Sequence, residues 1–243
     1  MRERTRPVCI QGVAVGVITA LEAQKRNKER VNIYIDGQYA FSLTLMEAAR
    51  LKKGQSLTEA EVAALQGEDT VLRAVDSAAR FLSFRPRSVA EVRRNLTAKE
   101  FPKPVAEAAI ERLTVMGHLD DLAFARFWVG SRGEFKPLSQ RALRTELKRK
   151  GVPDPVIEEA LAEQDETELA YRAAQGQLRK LKGGTLPDFK QKILTFLQRR
   201  GFSYSTARTT LTRLIEELEL RDEPFFGSIE SDEDDNGYSD PDT

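Results

Sequence analysis

Three segments of the chain repeat one pattern at a nearly constant interval. The stretches FRPRSVAEVRRNL, FKPLSQRALRTEL and TLPDFKQKILTFL begin at Phe84, Phe135 and Thr185. Five columns keep the same spacing of about 50 residues: Pro86, Pro137 and Pro187; Val92, Leu143 and Ile193; Leu96, Leu147 and Leu197; Phe101, Val152 and Phe202; Ile110, Leu161 and Leu211. A period shared by several columns is the signature of an internal repeat, so the chain is predicted to be a tandem array.

Each copy is predicted to belong to a repeat of three helices. A proline near the start of a helix loses no hydrogen bond, because the first amide donors have no partner inside the helix. The helix that follows ends at a break, AKEFPKP, RKGVPDP or RRGFSYS. Gly151 and Gly201 suit left-handed backbone there, and Pro102 and Pro153 stop the helix. The apolar residue of each break is expected to fold back onto the helix it follows.

A short β module is predicted to precede the repeats. The segment VNIYIDGQYAFSL alternates apolar and polar residues around Asp36-Gly37, which is a strong hairpin signal. An isolated hairpin is marginally stable in water, so it is expected to pack on neighbouring helices. One of these begins at Thr58, which with Glu61 has the spacing of a capping box. The module is predicted to end near Gly67.

These elements predict a mainly α fold. A three-helix repeat buries little surface alone, whereas repeats in tandem each keep a small core and touch their neighbours. We therefore expect an elongated, curved rod of tandem three-helix repeats with a small N-terminal β-hairpin module. The predicted parts are a flexible arm (1–17), the hairpin/helix module (18–67), repeat 1 (69–118), repeat 2 (119–164), repeat 3 (165–220) and a disordered acidic tail (221–243).

Few residues of this chain suit catalysis or metal binding. The single cysteine, Cys9, excludes an intramolecular disulfide and a multi-cysteine metal site. The only histidine, His118, is interpreted as a loop residue, and no phosphate-binding glycine loop or Gly-x-Ser-x-Gly motif occurs. No apolar run reaches the roughly 20 residues that span a bilayer. We expect a cytoplasmic, monomeric protein that is not an enzyme and has no cofactor or metal.

The net charge of zero hides an asymmetry along the chain. Residues 221–243 contain nine acidic residues and one basic residue, Arg221, so the body of the protein carries the compensating positive charge. A basic body favours contact with a polyanion or an acidic protein surface. The acidic tail is interpreted either as a competitor for that contact or, more simply, as an aid to solubility.

Basic residues recur at equivalent positions of the three copies. Lys99, Lys150 and Arg200 form one column just before the breaks. The helix dipole favours cations at a helix C-terminus by roughly 0.3–1 kcal/mol each, which is a purely structural explanation for any one of them. Their recurrence favours a binding stripe. Phe127 and Trp128 are expected to pack between repeats. The predicted stripe comprises Arg87, Arg93, Arg94, Lys99, Arg132, Arg144, Lys148, Arg149, Lys150, Lys192, Arg199 and Arg200.

Four motifs, in order along the chain, resemble the RecX family of bacterial regulators of the recombinase RecA. They are RPRSVAEVRRNL, FPKPVAEAAIERL, GHLDDLAFARFWVGSR and LRTELKRKGV, and the resemblance covers about residues 69–218. The hairpin segment is similar to the N-terminal module of many members. His118 stands where the family often has an aromatic residue, TLPDF departs from the family's RPRS opening, and the acidic tail is outside the resemblance.

The resemblance implies a non-catalytic protein that binds the RecA filament on single-stranded DNA, in its groove, and blocks or disassembles it. It also implies a role in DNA repair, homologous recombination and the SOS response. Weak contacts from successive repeats would add through avidity. Two alternatives stay open: a DNA-binding protein that binds weakly without RecA and with steep salt dependence, and a helical-repeat scaffold for another protein. Inhibition of RecA is expected, with activation the alternative.

Overall fold

The computed structural model describes residues 14–220 and 224–227. The rest of the predicted arm and of the acidic tail lies outside the described residues. The chain divides into two compact units, Met1–Asp120 (unit 1) and Asp121–Thr243 (unit 2). Unit 1 holds a sheet and repeat 1, and unit 2 holds repeats 2 and 3. Within the described ranges, no helix is long and apolar enough to cross a membrane.

Unit 1 begins with a small antiparallel sheet. Its four strands are β1 (Ala14–Ala23), β2 (Arg30–Ile35), β3 (Gln38–Thr44) and β4 (Ser56–Thr58). They lie in the order β3-β2-β1-β4. The hairpin prediction is confirmed, because β2 pairs with β3 across a turn in which Asp36 and Gly37 have φ angles of 50° and 85°. Both residue types tolerate this left-handed backbone.

Strand β1 corrects the predicted boundary of the flexible arm at residue 17. The strand begins at Ala14 and pairs with β2 on one side and β4 on the other, so it is a central strand. In the sequence, Gly16 suggests a flexible segment. In the structure, it lets the backbone of β1 lie close to Asp36. A Cβ atom on Gly16 would lie 2.1 Å from Oδ2 of Asp36.

One long helix joins the sheet to repeat 1. Helix α1 (Leu45–Ala48) is a single turn, whereas α2 spans Glu59–Leu82. The predicted capping box is present: the Thr58 hydroxyl accepts from the Glu61 N–H, and the Glu61 carboxylate accepts from the Thr58 N–H. Helix α2 continues through Gly67, which corrects the predicted module boundary there. A single glycine costs a helix only about 1 kcal/mol, so packing of α2 against its neighbours overrides it.

Each repeat contains three helices, as predicted. Their lengths follow the positions of the caps and breaks in the sequence. Repeat 1 adds α3 (Val89–Ala98) and α4 (Lys103–Val115) to α2; repeat 2 contains α5 (Asp121–Phe135), α6 (Gln140–Lys150) and α7 (Asp154–Ala162); repeat 3 contains α8 (Glu166–Leu181), α9 (Leu186–Arg199) and α10 (Tyr204–Glu219).

The second helix of each repeat ends in the same turn. The amide of the apolar residue in the break donates to a carbonyl in the last turn of the helix, which is a Schellman arrangement. The three pairs are Phe101 to Leu96 at 3.2 Å, Val152 to Leu147 at 3.2 Å and Phe202 to Leu197 at 3.1 Å. The preceding residues Glu100, Gly151 and Gly201 have φ angles of 63°, 81° and 91°. The predicted fold-back is therefore confirmed in all three repeats.

The repeat prolines occupy two different positions. Pro86 and Pro137 lie ahead of the serine N-caps of α3 and α6, outside the helix. Only Pro187 lies in the first turn of its helix. The N-cap of α9 is Thr185, which lies about one turn earlier in the repeat than the serine N-caps of α3 and α6. The prediction of a proline inside the first turn therefore holds for repeat 3 alone.

The hydrophobic cores follow the two units. Unit 1 has one core under the sheet, which includes Ile18 and Ile33, and another in repeat 1, which includes Val92 and Leu113. Unit 2 has a single core whose buried residues run from Phe124 of repeat 2 through repeat 3. Repeats 2 and 3 thus share one core, whereas the sequence favoured a separate small core for each repeat.

The start of the predicted disordered tail packs on repeat 3. Phe225 is buried, and its ring centre lies 5.6 Å from that of Phe189, while Phe226 lies 5.2 Å from the same ring. The Gly183 N–H also donates to the Phe225 carbonyl at 2.9 Å. Burying a phenylalanine side chain contributes about 1.5–3 kcal/mol, which accounts for the docking of residues 224–227. The acidic residues after them lie outside the described residues.

Candidate functional site

Two arginines of the predicted stripe form the same ion pair in repeats 1 and 2. Arg93 of α3 binds Glu107 of α4 through two hydrogen bonds of 2.6 and 2.9 Å. Arg144 of α6 binds Glu158 of α7 through two of 2.7 Å. These hydrogen bonds lower the pKa of both glutamates. Since bidentate pairs are geometrically specific, Arg93 and Arg144 hold the second helix against the third.

Repeat 3 lacks this ion pair. Leu194 occupies the position of the arginine and Arg208 that of the glutamate. Arg208 is exposed and, with Lys190 and Leu194, lines a shallow cleft between α9 and α10. This face of repeat 3 is therefore more positive than its counterparts. The stripe prediction omitted Arg208, although the exchange of an acid for a base in that column is visible in the sequence.

The first two residues of the column before the breaks reach back to the first helix of their own repeat. The Lys99 Nζ donates to Ser77 Oγ at 2.7 Å, and the Lys150 Nζ lies 4.7 Å from the centre of the Trp128 ring. Ser77 and Trp128 occupy equivalent positions of repeats 1 and 2. The column therefore has a shared structural role as well as a shared charge.

Arg200, the third residue of that column, joins repeat 3 to repeat 2. Its Nη1 donates to the Pro137 carbonyl at 3.1 Å, and its own carbonyl accepts from the Ser139 N–H at 3.2 Å. Burial lowers the pKa of the Arg200 guanidinium. The C-terminus of α9 thus packs against the N-terminus of α6. Arg200 is an inter-repeat contact, unlike the exposed cation that the stripe prediction required.

Two further stripe arginines lie on aromatic rings. The guanidinium carbon of Arg87 is 4.0 Å from the centre of the Phe81 ring, burial lowers the pKa of this guanidinium, and its buried Nε has no hydrogen-bond partner. Arg132 lies 4.8 Å from the centre of the Trp128 ring and pairs with Glu146 at 2.8 Å. Cation–π contacts of this kind contribute about 0.5–1 kcal/mol at exposed sites. They hold Arg87 and Arg132 against aromatic rings of their own repeats.

Trp128 packs inside repeat 2. Its indole N–H donates to Glu146 Oε2 at 2.8 Å, and its ring centre lies 6.0 Å from that of Phe124. Phe127 is 48% exposed. These positions correct the expectation that Phe127 and Trp128 pack between repeats: Trp128 joins α5 to α6, and Phe127 lies largely on the outer side of α5.

Two stripe lysines form exposed ion pairs. Lys148 pairs with Asp154 at 2.9 Å, and Lys192 pairs with Asp188 at 3.3 Å. All four side chains are more than half exposed. Surface pairs of this kind contribute about 0–1 kcal/mol and break readily, so these lysines stay available to a stronger anionic partner.

Three stripe arginines are exposed without an ion pair to any described residue. They are Arg94 of α3 in unit 1 and, in unit 2, Arg149 at the end of α6 and Arg199 at the end of α9. Arg149 and Arg199 occupy equivalent positions of repeats 2 and 3. Because α9 packs on α6, these two arginines are held on one compact unit. Their exposed guanidinium groups are available to a partner.

A polar cleft in unit 1 contains cations that the stripe prediction missed. Its volume is about 650 Å³, and it lies between the sheet and the helices of repeat 1. Arg73 and Arg80 of α2 line it beside Lys99. The equivalent positions of repeat 2 are Phe124 and Ser131, so neither arginine belongs to a repeating basic column. Their spacing of two helical turns on α2 was the only available signal.

His118 shows no arrangement for chemistry. It is exposed in the turn after α4, and its backbone N–H donates to the Leu113 carbonyl at 2.9 Å. Its interpretation as a loop residue is confirmed. In residues 14–220 and 224–227, no three histidine, cysteine, aspartate or glutamate side chains lie close enough together to hold a metal ion.

Four domains described for one family match the chain in order. They are the regulatory protein RecX N-terminal domain at residues 16–58, and the first, second and third three-helix domains of RecX at residues 74–113, 120–161 and 163–211. The first match covers the sheet, and each of the other three covers all or part of each of the three helices of one repeat.

Curated relatives and solved structures agree with this match. Regulatory protein RecX of Bacillus pumilus is 39% identical over 77% of this chain and 73% of its own length, and that of Bacillus subtilis is 34% identical over 81% and 76%. A crystal structure of regulatory protein RecX is 28% identical, with a TM-score of 0.66 over 82% of this chain and 98% of that chain. The chain therefore belongs to the RecX family of regulatory proteins.

Proposed function

We propose that this chain is a non-catalytic cytoplasmic regulator that binds the RecA filament on single-stranded DNA and inhibits its ATPase and strand exchange in DNA repair and recombination. The observation that carries the proposal is the ordered match of all four RecX domains. The exposed arginines Arg94, Arg149 and Arg199 support it, because they form no ion pair with a described residue and can bind an anionic partner.

A filament presents the same surface repeatedly, and a repeat protein can meet it with repeated contacts. In unit 2 the shared core and the Arg200–Pro137 hydrogen bond hold the C-terminus of α9 against the N-terminus of α6, so Arg149 and Arg199 keep a fixed separation. Preorganised contacts avoid part of the entropy cost of binding, so two weak charge contacts combine into one stronger one. Inhibition follows from occupancy, since a groove that holds this protein does not admit a second DNA strand.

The test measures RecA ATPase and strand exchange on single-stranded DNA with increasing amounts of this protein. We expect inhibition at substoichiometric amounts. Replacement of two equivalent arginines, Arg149→Glu with Arg199→Glu, should raise the half-inhibitory concentration about tenfold, because rim charges steer and register an interface. The matched control is Arg179→Glu with Lys180→Glu on α8, which changes the charge equally outside the stripe and should have a smaller effect.

Two outcomes would contradict the proposal. The absence of any effect on RecA at equimolar protein would refute regulation of the filament and leave the scaffold alternative. An equal loss with both double variants would show that the stripe acts only through net charge. The alternative of an independent DNA-binding protein is favoured if affinity for DNA without RecA is as high as affinity for the filament and falls steeply with salt.

A further inference from the structure

The polar cleft of unit 1 has the features of a ligand site. It is lined by residues from the β1–β2 loop, β2, β3, α2 and the break after α3. Its volume of about 650 Å³ lies within the usual range of small-molecule sites. The lining residues are Asn27, Glu29, Arg30, Ser42, Thr44, Arg73, Asp76, Ser77, Arg80, Lys99 and Phe101.

Contacts of Arg30 and Lys99 hold the walls of the cleft in place. The other charged residues of the cleft take no part in these contacts. Arg30 binds both oxygens of Asp69 at 2.7 and 2.9 Å and the Ser42 carbonyl at 2.9 Å, which ties β2 and β3 to α2. Asp69 is 5% exposed, so this is a largely buried pair. On the opposite wall, the buried Ser77 hydroxyl holds the Lys99 ammonium. The cleft is therefore preorganised by the fold.

The remaining charges of the cleft are not satisfied by one another. Arg73, Arg80, Asp76 and Glu29 are all exposed, and no ion pair within 4 Å joins them in the described structure. Arg80 donates from Nε to the Asp76 carbonyl at 3.3 Å, which leaves both terminal nitrogens of its guanidinium for a ligand. Arg73 and Arg80 lie two turns apart, or roughly 10.5 Å along the axis of α2.

We propose that this cleft binds one nucleotide unit of a single-stranded nucleic acid whose backbone runs along α2. Arg73, Arg80 and Lys99 bind the phosphates, Asp76 and Glu29 accept hydrogen bonds from base N–H groups, and Phe101 provides an apolar contact. The two carboxylates repel a phosphate backbone and an acidic peptide alike, but a nucleotide base has N–H donors that they can bind, whereas acidic side chains have none. The choice of nucleic acid as the source of phosphate rests on the proposed function, whereas the mixed lining favours a nucleotide independently of it.

The experiment uses the full chain without RecA and a fluorescein-labelled single strand of dC of about 15 nucleotides, read by anisotropy at several salt concentrations. The variant pair Arg73→Gln with Arg80→Gln should weaken binding about tenfold and flatten the salt slope by roughly 1.4, the loss of two phosphate contacts on a single strand. The matched control, Lys52→Gln with Lys53→Gln, removes the same charge from exposed residues outside the cleft. Equal losses in the two pairs, or no binding by the natural chain, would overturn the proposal.

A second variant separates nucleotide recognition from simple charge attraction. Asp76→Ala removes a negative charge, so a purely electrostatic site would bind the strand more tightly. If Asp76 accepts from the base, the variant should bind the dC strand more weakly, and tighter binding would refute the base contact. Free dCMP should compete with the strand at concentrations where inorganic phosphate does not, and equal competition would refute recognition beyond the phosphate.

The anisotropy measurement is independent of the RecA assay. Because the readout contains no RecA, a natural chain that does not bind the dC strand but still inhibits RecA would refute the cleft alone. Intact cleft binding together with no effect on RecA would refute the proposed function alone. Circular dichroism of each variant checks that the substitutions, all at exposed positions, leave the helices intact.

Discussion

At the scale of single residues, one position of the repeat is strained in one copy only. Glu100 takes the left-handed backbone that Gly151 and Gly201 take in repeats 2 and 3, with φ of 63°. A side chain with a Cβ atom pays of order 1–3 kcal/mol in sparsely populated backbone regions. Glu100 is tolerated because the Schellman hydrogen bonds around it are the same as in the other two repeats.

We predict that Glu100→Gly stabilises the protein. Relief of backbone strain outweighs the greater freedom of glycine in the unfolded chain, so the free energy of unfolding should rise by about 1 kcal/mol. Urea unfolding followed by circular dichroism measures this change. Gly151→Ala is the converse control and should lower the free energy of unfolding. A Glu100→Gly variant that is less stable than the natural chain would contradict the explanation.

At the scale of elements, helix packing decides which cations are available to a partner. The pairs Arg93–Glu107 and Arg144–Glu158 bring together helices α3 with α4 and α6 with α7. Arg200 similarly joins α9 to α6. Most of the predicted stripe therefore stabilises helix packing, whereas its exposed arginines without an ion pair to a described residue lie within α3 (Arg94) and at the C-terminal ends of α6 and α9 (Arg149 and Arg199).

The docked segment after α10 provides a prediction at this scale. Phe225→Ala should lower the free energy of unfolding of unit 2 by about 2–3 kcal/mol, because the edge-to-face contact with Phe189 and the buried apolar surface are lost. Urea unfolding followed by Trp128 fluorescence reports on the same core, against which both Trp128 and Phe226 pack. Phe135→Ala is the control: its ring is 80% exposed, so stability should change by less than about 0.5 kcal/mol. Equal stability of the two variants would show that the segment does not contribute to the fold.

At the scale of the whole molecule, the repeat period and the compact units do not coincide. Repeats 2 and 3 form one unit with a continuous core, while repeat 1 forms a unit with the sheet. Helix α2 and the buried Arg30–Asp69 pair join repeat 1 to the sheet. The structure therefore has two compact units, although the sequence contains three copies of the repeat.

We predict that residues 121–243 fold without unit 1. Every buried residue that the structure describes in their core lies between Phe124 and Phe225, so this core is built from unit 2 itself. The fragment should give a helical circular dichroism spectrum and a single cooperative urea transition by Trp128 fluorescence. A non-cooperative transition, or a spectrum typical of unfolded chain, would show that the core depends on unit 1.

The sequence by itself determined the features that depend on local chemistry. Three helices per repeat, the turn at each break, the Asp36-Gly37 hairpin and the Thr58 capping box all follow from residues close together in the chain, where caps, left-handed backbone and apolar period act directly. The RecX motifs could be recognised for the same reason, because their spacing is a property of the sequence itself.

Only the tertiary structure decided which charged residues are paired and which residues belong to each core. Whether Arg93 or Arg149 is accessible depends on an acid supplied by another helix, and a basic column carries no record of such partners. The passage of α2 through Gly67 and the docking of Phe225 depend on burial against distant residues. Local propensities of about 1 kcal/mol are overridden wherever packing contributes more, and that contribution exists only after the chain has folded.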